Sequence, residues 1–166
     1  MVRGPVRLAT PDDTRRFGEA LAAVLRAGDL VVLAGPLGAG KTVLAQGIGE
    51  GLRVTGAVTS PTFVIARVHR PDPARGGTVP LVHVDAYRLG EVVDPRAEVD
   101  DLDLDAELDD SVVVVEWGEG VVEQLADAHL LVRVERHDDD SRTVNLVGRG
   151  GDWDRRLAAL PVGARP

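Results

Sequence analysis

Gly35-Pro36-Leu37-Gly38-Ala39-Gly40-Lys41-Thr42 matches the pattern G-x-x-x-x-G-K-[ST] at every fixed position. The apolar run Leu30-Val31-Val32-Leu33-Ala34 ahead of it predicts a buried strand, and Thr42 to Leu52 behind it predicts a helix. Strand, glycine-rich loop and helix in that order make a phosphate cradle. The glycines let backbone N–H groups curl round the phosphates, and the helix N-terminus adds partial positive charge. Lys41 is the only lysine among 19 Lys and Arg residues, so the one compact ammonium stands where it reaches the β- and γ-phosphates of a nucleotide. Thr42, directly after it, is the expected hydroxyl ligand to Mg2+.

A bound nucleotide needs a divalent ion, with oxygen ligands expected at the carboxyl ends of buried strands near the loop. Two strands end in an acid: Val82-His83-Val84-Asp85 and Val112-Val113-Val114-Val115-Glu116. Either carboxylate fits delivery to the metal or to its water shell. Ser60-Pro61-Thr62-Phe63 resembles a switch segment, in which Thr62 meets the γ-phosphate or the metal; it also reads as a plain turn. Trp117, directly after Glu116, suits either the core or a lid or partner contact.

The rest of the chain alternates strands and helices. Thr10-Pro11-Asp12-Asp13 carries a cap residue, a proline in the first turn and an acid three positions after the cap, and so opens a helix. Phe17, Leu21, Val24 and Leu25 share one face of it, and Gly28 is the expected end. Short strands are predicted over Val54 to Thr59 and Phe63 to Val68, then a surface loop or hairpin connection from Arg70 to Pro80. A polar helical stretch follows from about Glu91; the nine acids between Asp94 and Asp110 read as a solvated face. Leu130 to Val134 and Arg142 to Val147 alternate about the turn Asp138-Asp139-Asp140-Ser141 and predict an antiparallel hairpin. The expected fold class is α/β: a three-layer P-loop NTPase fold with a mixed, mostly parallel sheet and a C-terminal antiparallel hairpin. One domain over 1–166 is expected, with its core from about 8 to 148 and a short terminal helix over 152–160.

Composition narrows the partners. There is no cysteine, which excludes cysteine-based zinc and redox chemistry and fits a reducing compartment. The N-terminus lacks an apolar targeting core, and no apolar run approaches the ~20 residues of a membrane span. A soluble, cytoplasmic protein without a membrane partner is therefore expected. A net charge of −8 repels a phosphate backbone, so direct, tight binding of nucleic acid, DNA included, is not expected. The four histidines, His69, His83, His129 and His137, show no metal-ligand spacing.

Many activities share this loop. A guanine-reading Asn-Lys-x-Asp element cannot exist, since the only lysine is Lys41. Adenine, and hence ATP, is favoured by exclusion. Transporter ATPases need a signature segment and more length, and oligomeric ring ATPases need an extra helical domain; neither fits. A small-molecule kinase fits the size, with Arg67, Arg70 and Arg75 as a mobile lid. A nucleotide-gated binding module is a third class.

The succession GPLGAGKT, SPTF, HVDAYRL (His83 to Leu89) and VEWGE (Val115 to Glu119) resembles the TsaE (YjeE) family over about Leu8 to Val147. That resemblance implies an ATPase of bacterial tRNA threonylcarbamoyladenosine synthesis, joined to TsaD and TsaB and meeting tRNA only through that complex. It implies that Lys41 holds phosphates, Thr42 and Glu116 hold Mg2+, Asp85 takes the Walker B position and Thr62 is the switch threonine. Gly38, Ala39, Gly40, Lys41, Thr42 and Val43 then line the phosphate site. The adenine lies between Thr10 and Pro11 on one side and Ser141 and Arg142 on the other. Tyr87, Arg88 and Trp117 are implied at the partner surface or in sensing the nucleotide. Two departures are visible: Pro36 stands where the family usually has Asp, and Val43 where a second Thr is usual. The first alters loop stiffness, and the second removes one phosphate hydroxyl.

Overall fold

The computed structural model describes residues 2–36, 38–56, 58, 66–85, 109–117 and 126–160. Among them are the strands β1 (Val2–Leu8), β2 (Leu30–Ala34), β3 (Ala66–His69), β4 (Leu81–Asp85), β5 (Val112–Glu116), β6 (His129–Arg136) and β7 (Arg142–Arg149). The helices are α1 (Pro11–Ala22), α2 (Lys41–Leu52) and α3 (Trp153–Ala158), with a 3-10 turn at Pro73–Arg75. The strands make one seven-stranded sheet in the order β1-β7-β6-β2-β5-β4-β3. β6, β2, β5 and β4 run parallel; β7 and β3 run against them, and β1 runs against β7. The sheet is thus mixed, with five strands pointing one way and two the other.

The central strands are almost wholly apolar because both of their faces are buried. Val31, Leu33, Leu81, Val112, Val114, Leu130, Val132 and Val134 meet α1, α2 and α3, through Phe17, Leu21, Leu44, Ile48, Trp153 and Leu157. The alternate residues Leu30, Val32, Val82, Val84, Val113 and Val115 form a second core on the other face. Each such fully buried Val, Leu or Ile contributes about 1.5–3 kcal/mol. This is the α/β P-loop NTPase fold expected above, with its C-terminal hairpin (β6–β7) in place.

α1 starts as its sequence dictates. Thr10 Oγ1 accepts from Asp13 N at 3.1 Å, and the Asp13 carboxylate accepts from Thr10 N at 3.1 Å, which occupies two otherwise orphaned N–H donors. The helix stops at Ala22, not at Gly28. From Ala23 the chain tightens into bonds that reach back three residues, and the Val24 carbonyl accepts from Arg156 Nε at 2.9 Å. Gly28 serves instead as the turn into β2.

α1 and α2 touch backbone to backbone. A β-carbon on Gly18 would sit 2.5 Å from the Leu44 carbonyl oxygen, and one on Gly47 would sit 2.1 Å from that of Arg15. On Gly51 it would come within 2.5 Å of Ala22 Cβ. All three clashes lie below any real Cβ contact, so the closeness of this pair depends on missing side chains.

Several expectations shift. β1 was not anticipated: it is an outer strand, and Pro5 sits there without breaking an inner ladder. Of the strand expected over Val54 to Thr59, the described residues carry one bridge, Val54 with Pro71, flanked by Arg53 and Gly56 in left-handed conformations, and 57 and 59 lie outside the described residues. β3 covers only the end of the Phe63 to Val68 prediction, and 63–65 lie outside the described residues. So do Ser60, Thr62, Tyr87 and Arg88, the helix expected from Glu91, and the acidic run as far as 108. Among the described residues no helix is long and apolar enough to cross a membrane.

Candidate functional site

The topology gathers the site at one end of the sheet. β2 ends in the glycine-rich loop, its parallel neighbour β5 ends beside it in Glu116, and β4, parallel to β5, ends in Asp85, the register partner of Glu116. β6 also runs parallel to β2, so its turn into β7 lies at the same end. β1 pairs Leu8 with Arg142 and thereby delivers Thr10 and Pro11 there too. Five separate stretches of sequence thus meet where a doubly wound sheet binds its ligand.

Within the loop, Ala39 N donates to the Pro36 carbonyl at 3.1 Å, which makes a turn, and Gly40 takes φ of 102°, a left-handed geometry that favours glycine. Gly40 caps α2 without any side-chain bond. The first-turn N–H groups of α2 keep their polarity for an anion. Gly35 brings the chain against β6, where a β-carbon would strike the Val134 carbonyl oxygen at 2.5 Å. Lys41 is 5% exposed; its Nζ donates to the Gly35 carbonyl at 2.6 Å and lies 3.1 Å from the Trp117 ring centroid. Burial lowers its pKa, while the charges of Glu116 and Asp85 pull in the opposite direction.

Glu116 is buried between two partners. Thr42 Oγ1 donates to its Oε1 at 3.2 Å, and His83 Nε2 lies 2.6 Å from its Oε2. Asp85 stands half-buried beside it on β4. Among the described residues no group of three or more His, Cys, Asp or Glu side chains is arranged to enclose a metal ion. One hydroxyl with one or two carboxylates is instead the donor set of Mg2+ in a phosphate site, where phosphate oxygens and waters complete the octahedron. The residues present fit that ion.

On the other side, Arg142 reaches back to the loop. Its Nε donates to the Ala39 carbonyl at 3.2 Å and its Nη2 to that of Gly38 at 3.3 Å. Arg136 pairs with Asp140 at 2.5 Å, and its Nη1 would lie 3.4 Å from a β-carbon on Gly38. Two guanidinium groups therefore flank the loop. The hairpin is stiffened by Asp139 Oδ1, which accepts from Ser141 N at 3.0 Å and Ser141 Oγ at 2.6 Å. Those two bonds hold the Asp139 carboxyl below its ordinary pKa.

Of the expected site residues, Gly38, Ala39, Gly40, Lys41, Thr42, Val43, Asp85, Glu116, Thr10, Pro11 and Ser141 all lie at this end. Ser141 is buried with its hydroxyl committed to Asp139, and Thr10 Oγ1 serves the α1 cap, so both shape the rim through the backbone. Thr62 is outside the described residues. Of the three arginines expected to form a kinase lid, Arg67 lies on β3 opposite His83, whereas Arg70 and Arg75 lie towards the other end of the sheet. β3 runs against β4, from Ala66 opposite Val84 to His69 opposite Leu81, so 70–80 turns at the far end of the sheet. Arg75 Nη1 meets the Val54 carbonyl there, past the end of α2 and ~18 Å along the helix from the loop. Sequence reasoning missed His83 and the bonds of Arg142 to the loop. Only strand pairing brings these residues to their partners; the one signal was a histidine in an otherwise apolar strand.

Residues 8–144 match the family model described as threonylcarbamoyl adenosine biosynthesis protein TsaE. The chain is 57% identical over 143 residues to the tRNA threonylcarbamoyladenosine biosynthesis protein TsaE of Streptomyces coelicolor, a match covering 84% of this chain and 93% of that protein. It is 34% identical over 149 residues to the protein of the same name from Bacillus subtilis, covering 89% and 87%. The crystal structure of Bacillus subtilis YdiB is similar with a TM-score of 0.76 at 29% identity, over 96% of this chain and 95% of that one.

Proposed function

The chain belongs to the TsaE family, and from that premise we propose that it serves tRNA threonylcarbamoyladenosine synthesis as a cytoplasmic ATPase. It binds ATP with Mg2+, hydrolyses it, and acts with TsaD and TsaB on the adenosine beside the anticodon, meeting tRNA through that complex. The observation that carries this reading is Thr42 bonded at 3.2 Å to Glu116 beside the buried Lys41, a hydroxyl, a carboxylate and an ammonium converging on one loop.

In this mechanism the loop amides and Lys41 grip the β- and γ-phosphates, and Thr42 with Glu116 holds Mg2+. When bound, Mg2+ supplies neutralisation of the charge that develops on the transferred phosphoryl group. Asp85, in register with Glu116, orders water around the metal ligands. Thr62 contacts the γ-phosphate as the switch threonine. Thr10, Pro11 and the Ser141–Arg142 turn border the base. Preorganised charge in a water-poor cleft stabilises the transition state more than the ground state. The kinase alternative loses support, because Arg70 and Arg75 turn away from the loop.

The test is ATP turnover and tRNA modification measured together, with purified TsaD, TsaB and tRNA. Lys41→Ala is expected to abolish nucleotide binding and sustained modification. Full modification over many cycles by that variant would refute the reading, and phosphate transfer from labelled ATP to a metabolite without partner proteins would favour a kinase.

A further inference from the structure

His83 is fully buried in β4, two residues before Asp85 and on the same side of the strand, and its Nε2 lies 2.6 Å from Glu116 Oε2. Glu116 is itself 4% exposed, and its other oxygen accepts from Thr42. Resting on the reading above, we propose that His83 is a positioning residue that holds one oxygen of Glu116 so that the other faces Thr42 and the metal.

Three observations carry this. The first is the division of labour on the carboxylate. Oε2 takes a ring nitrogen from inside the sheet and Oε1 takes the hydroxyl from the loop, so rotation about the terminal bond of Glu116 breaks both contacts. The second is the tautomer. His83 Nδ1 is buried and without a partner among the described residues, so a proton there would be orphaned, whereas a proton on Nε2 is accepted by the carboxylate. The bond has a defined direction: Nε2–H donates and Glu116 accepts. The third is the setting. The neighbouring positions Leu81, Val82, Val84, Val112, Val113, Val114 and Val115 are aliphatic and buried, and an aliphatic residue at 83 would pack there without leaving a ring nitrogen unpaired. A buried polar pair is weak evidence for stability. Orienting a ligand from behind is a different task, and it tunes metal affinity typically by ~10–100-fold.

The experiment compares the full-length chain with His83→Leu, His83→Gln and His83→Asn. Gln can place an N–H donor where Nε2 stands; Asn reaches only the Nδ1 position. Mn2+ affinity is read by electron paramagnetic resonance in the presence of a non-hydrolysable ATP analogue. Metal-free affinity for the analogue is read by calorimetry in EDTA, and the melting temperature is recorded for each variant. His83→Leu is expected to weaken Mn2+ binding by ~10–100-fold while metal-free nucleotide affinity holds within about twofold, and His83→Gln to recover most of the loss. Should His83→Leu not fold, the Gln and Asn variants decide, with Gln near the parent and Asn weakened. Equal Mn2+ affinity in parent and Leu variant, or in Gln and Asn variants, overturns the proposal while leaving the ATP reading intact. Failure of the unsubstituted chain to take up nucleotide overturns both.

Discussion

The Lys41 ammonium lies 3.1 Å from the centroid of the Trp117 ring, two side chains that a central strand pairing brings together across the site. The same ammonium donates to the Gly35 carbonyl of its own loop. A cation on an aromatic face gains about 0.5–2 kcal/mol, more as water is excluded. Burial nevertheless dominates its titration and holds its pKa below the ordinary 10.5.

That depression fixes the sign of a stability effect. Below its lowered folded pKa Lys41 is charged in both states and carries its full burial penalty. The penalty is relieved as pH rises from the lowered folded value towards 10.5, where the unfolded chain binds more protons. Lys41→Met is therefore expected to raise the melting temperature at pH 7 while abolishing nucleotide binding, with ~1 kcal/mol appearing as roughly 2–4 °C. The gain should shrink as pH rises towards 10.5, and melting curves of the two proteins at neutral and alkaline pH check it. A gain that grows with pH would contradict the burial argument.

Glu116→Gln preserves shape and removes charge. We expect nucleotide to bind within a few-fold of the parent and Mg2+-dependent hydrolysis to fall by about 10²–10³-fold, as for loss of one preorganised electrostatic group. Single-turnover hydrolysis in the assembled complex measures this. Unchanged turnover would move the principal role to Asp85.

Arg142 ties the β6–β7 turn to the Ala39 and Gly38 carbonyls. Bonds from a charged donor contribute about 1.5–3 kcal/mol, so Arg142→Ala should weaken nucleotide binding by at least roughly tenfold. Arg142→Lys should not restore it, since an ammonium cannot span two carbonyls as the planar fork does. Calorimetric titration with an ATP analogue separates the outcomes.

Gly47→Ala drives a β-carbon to 2.1 Å from the Arg15 carbonyl oxygen. Overpacking of this kind costs about 1–3 kcal/mol, which denaturant titration would detect. A neutral result would mean that α1 slides freely on α2.

What the sequence disclosed follows from locality. Lys41, Thr42 and the glycines around them sit within one short run between an apolar strand and a helix, so spacing alone places them. The valines before Glu116 and the alternation on either side of Asp138-Asp139-Asp140-Ser141 are equally local. β1 escaped notice because Arg3, Gly4, Pro5 and Arg7 give an outer strand, wetted along one edge, the look of a loop. His83 was passed over because its meaning lies in Glu116, a residue that only the β4–β5 pairing sets beside it. Arg70 and Arg75 suggested a lid because sequence carries no sign of which end of the sheet a hairpin connection turns at.

The bare seam between α1 and α2 gives the molecule its mechanical character. Glycine contacts at Gly18, Gly47 and Gly51 lock the start of α1, with Thr10, against the start of α2, with the cradle at Lys41, so the rim and the floor of the cleft share one brace.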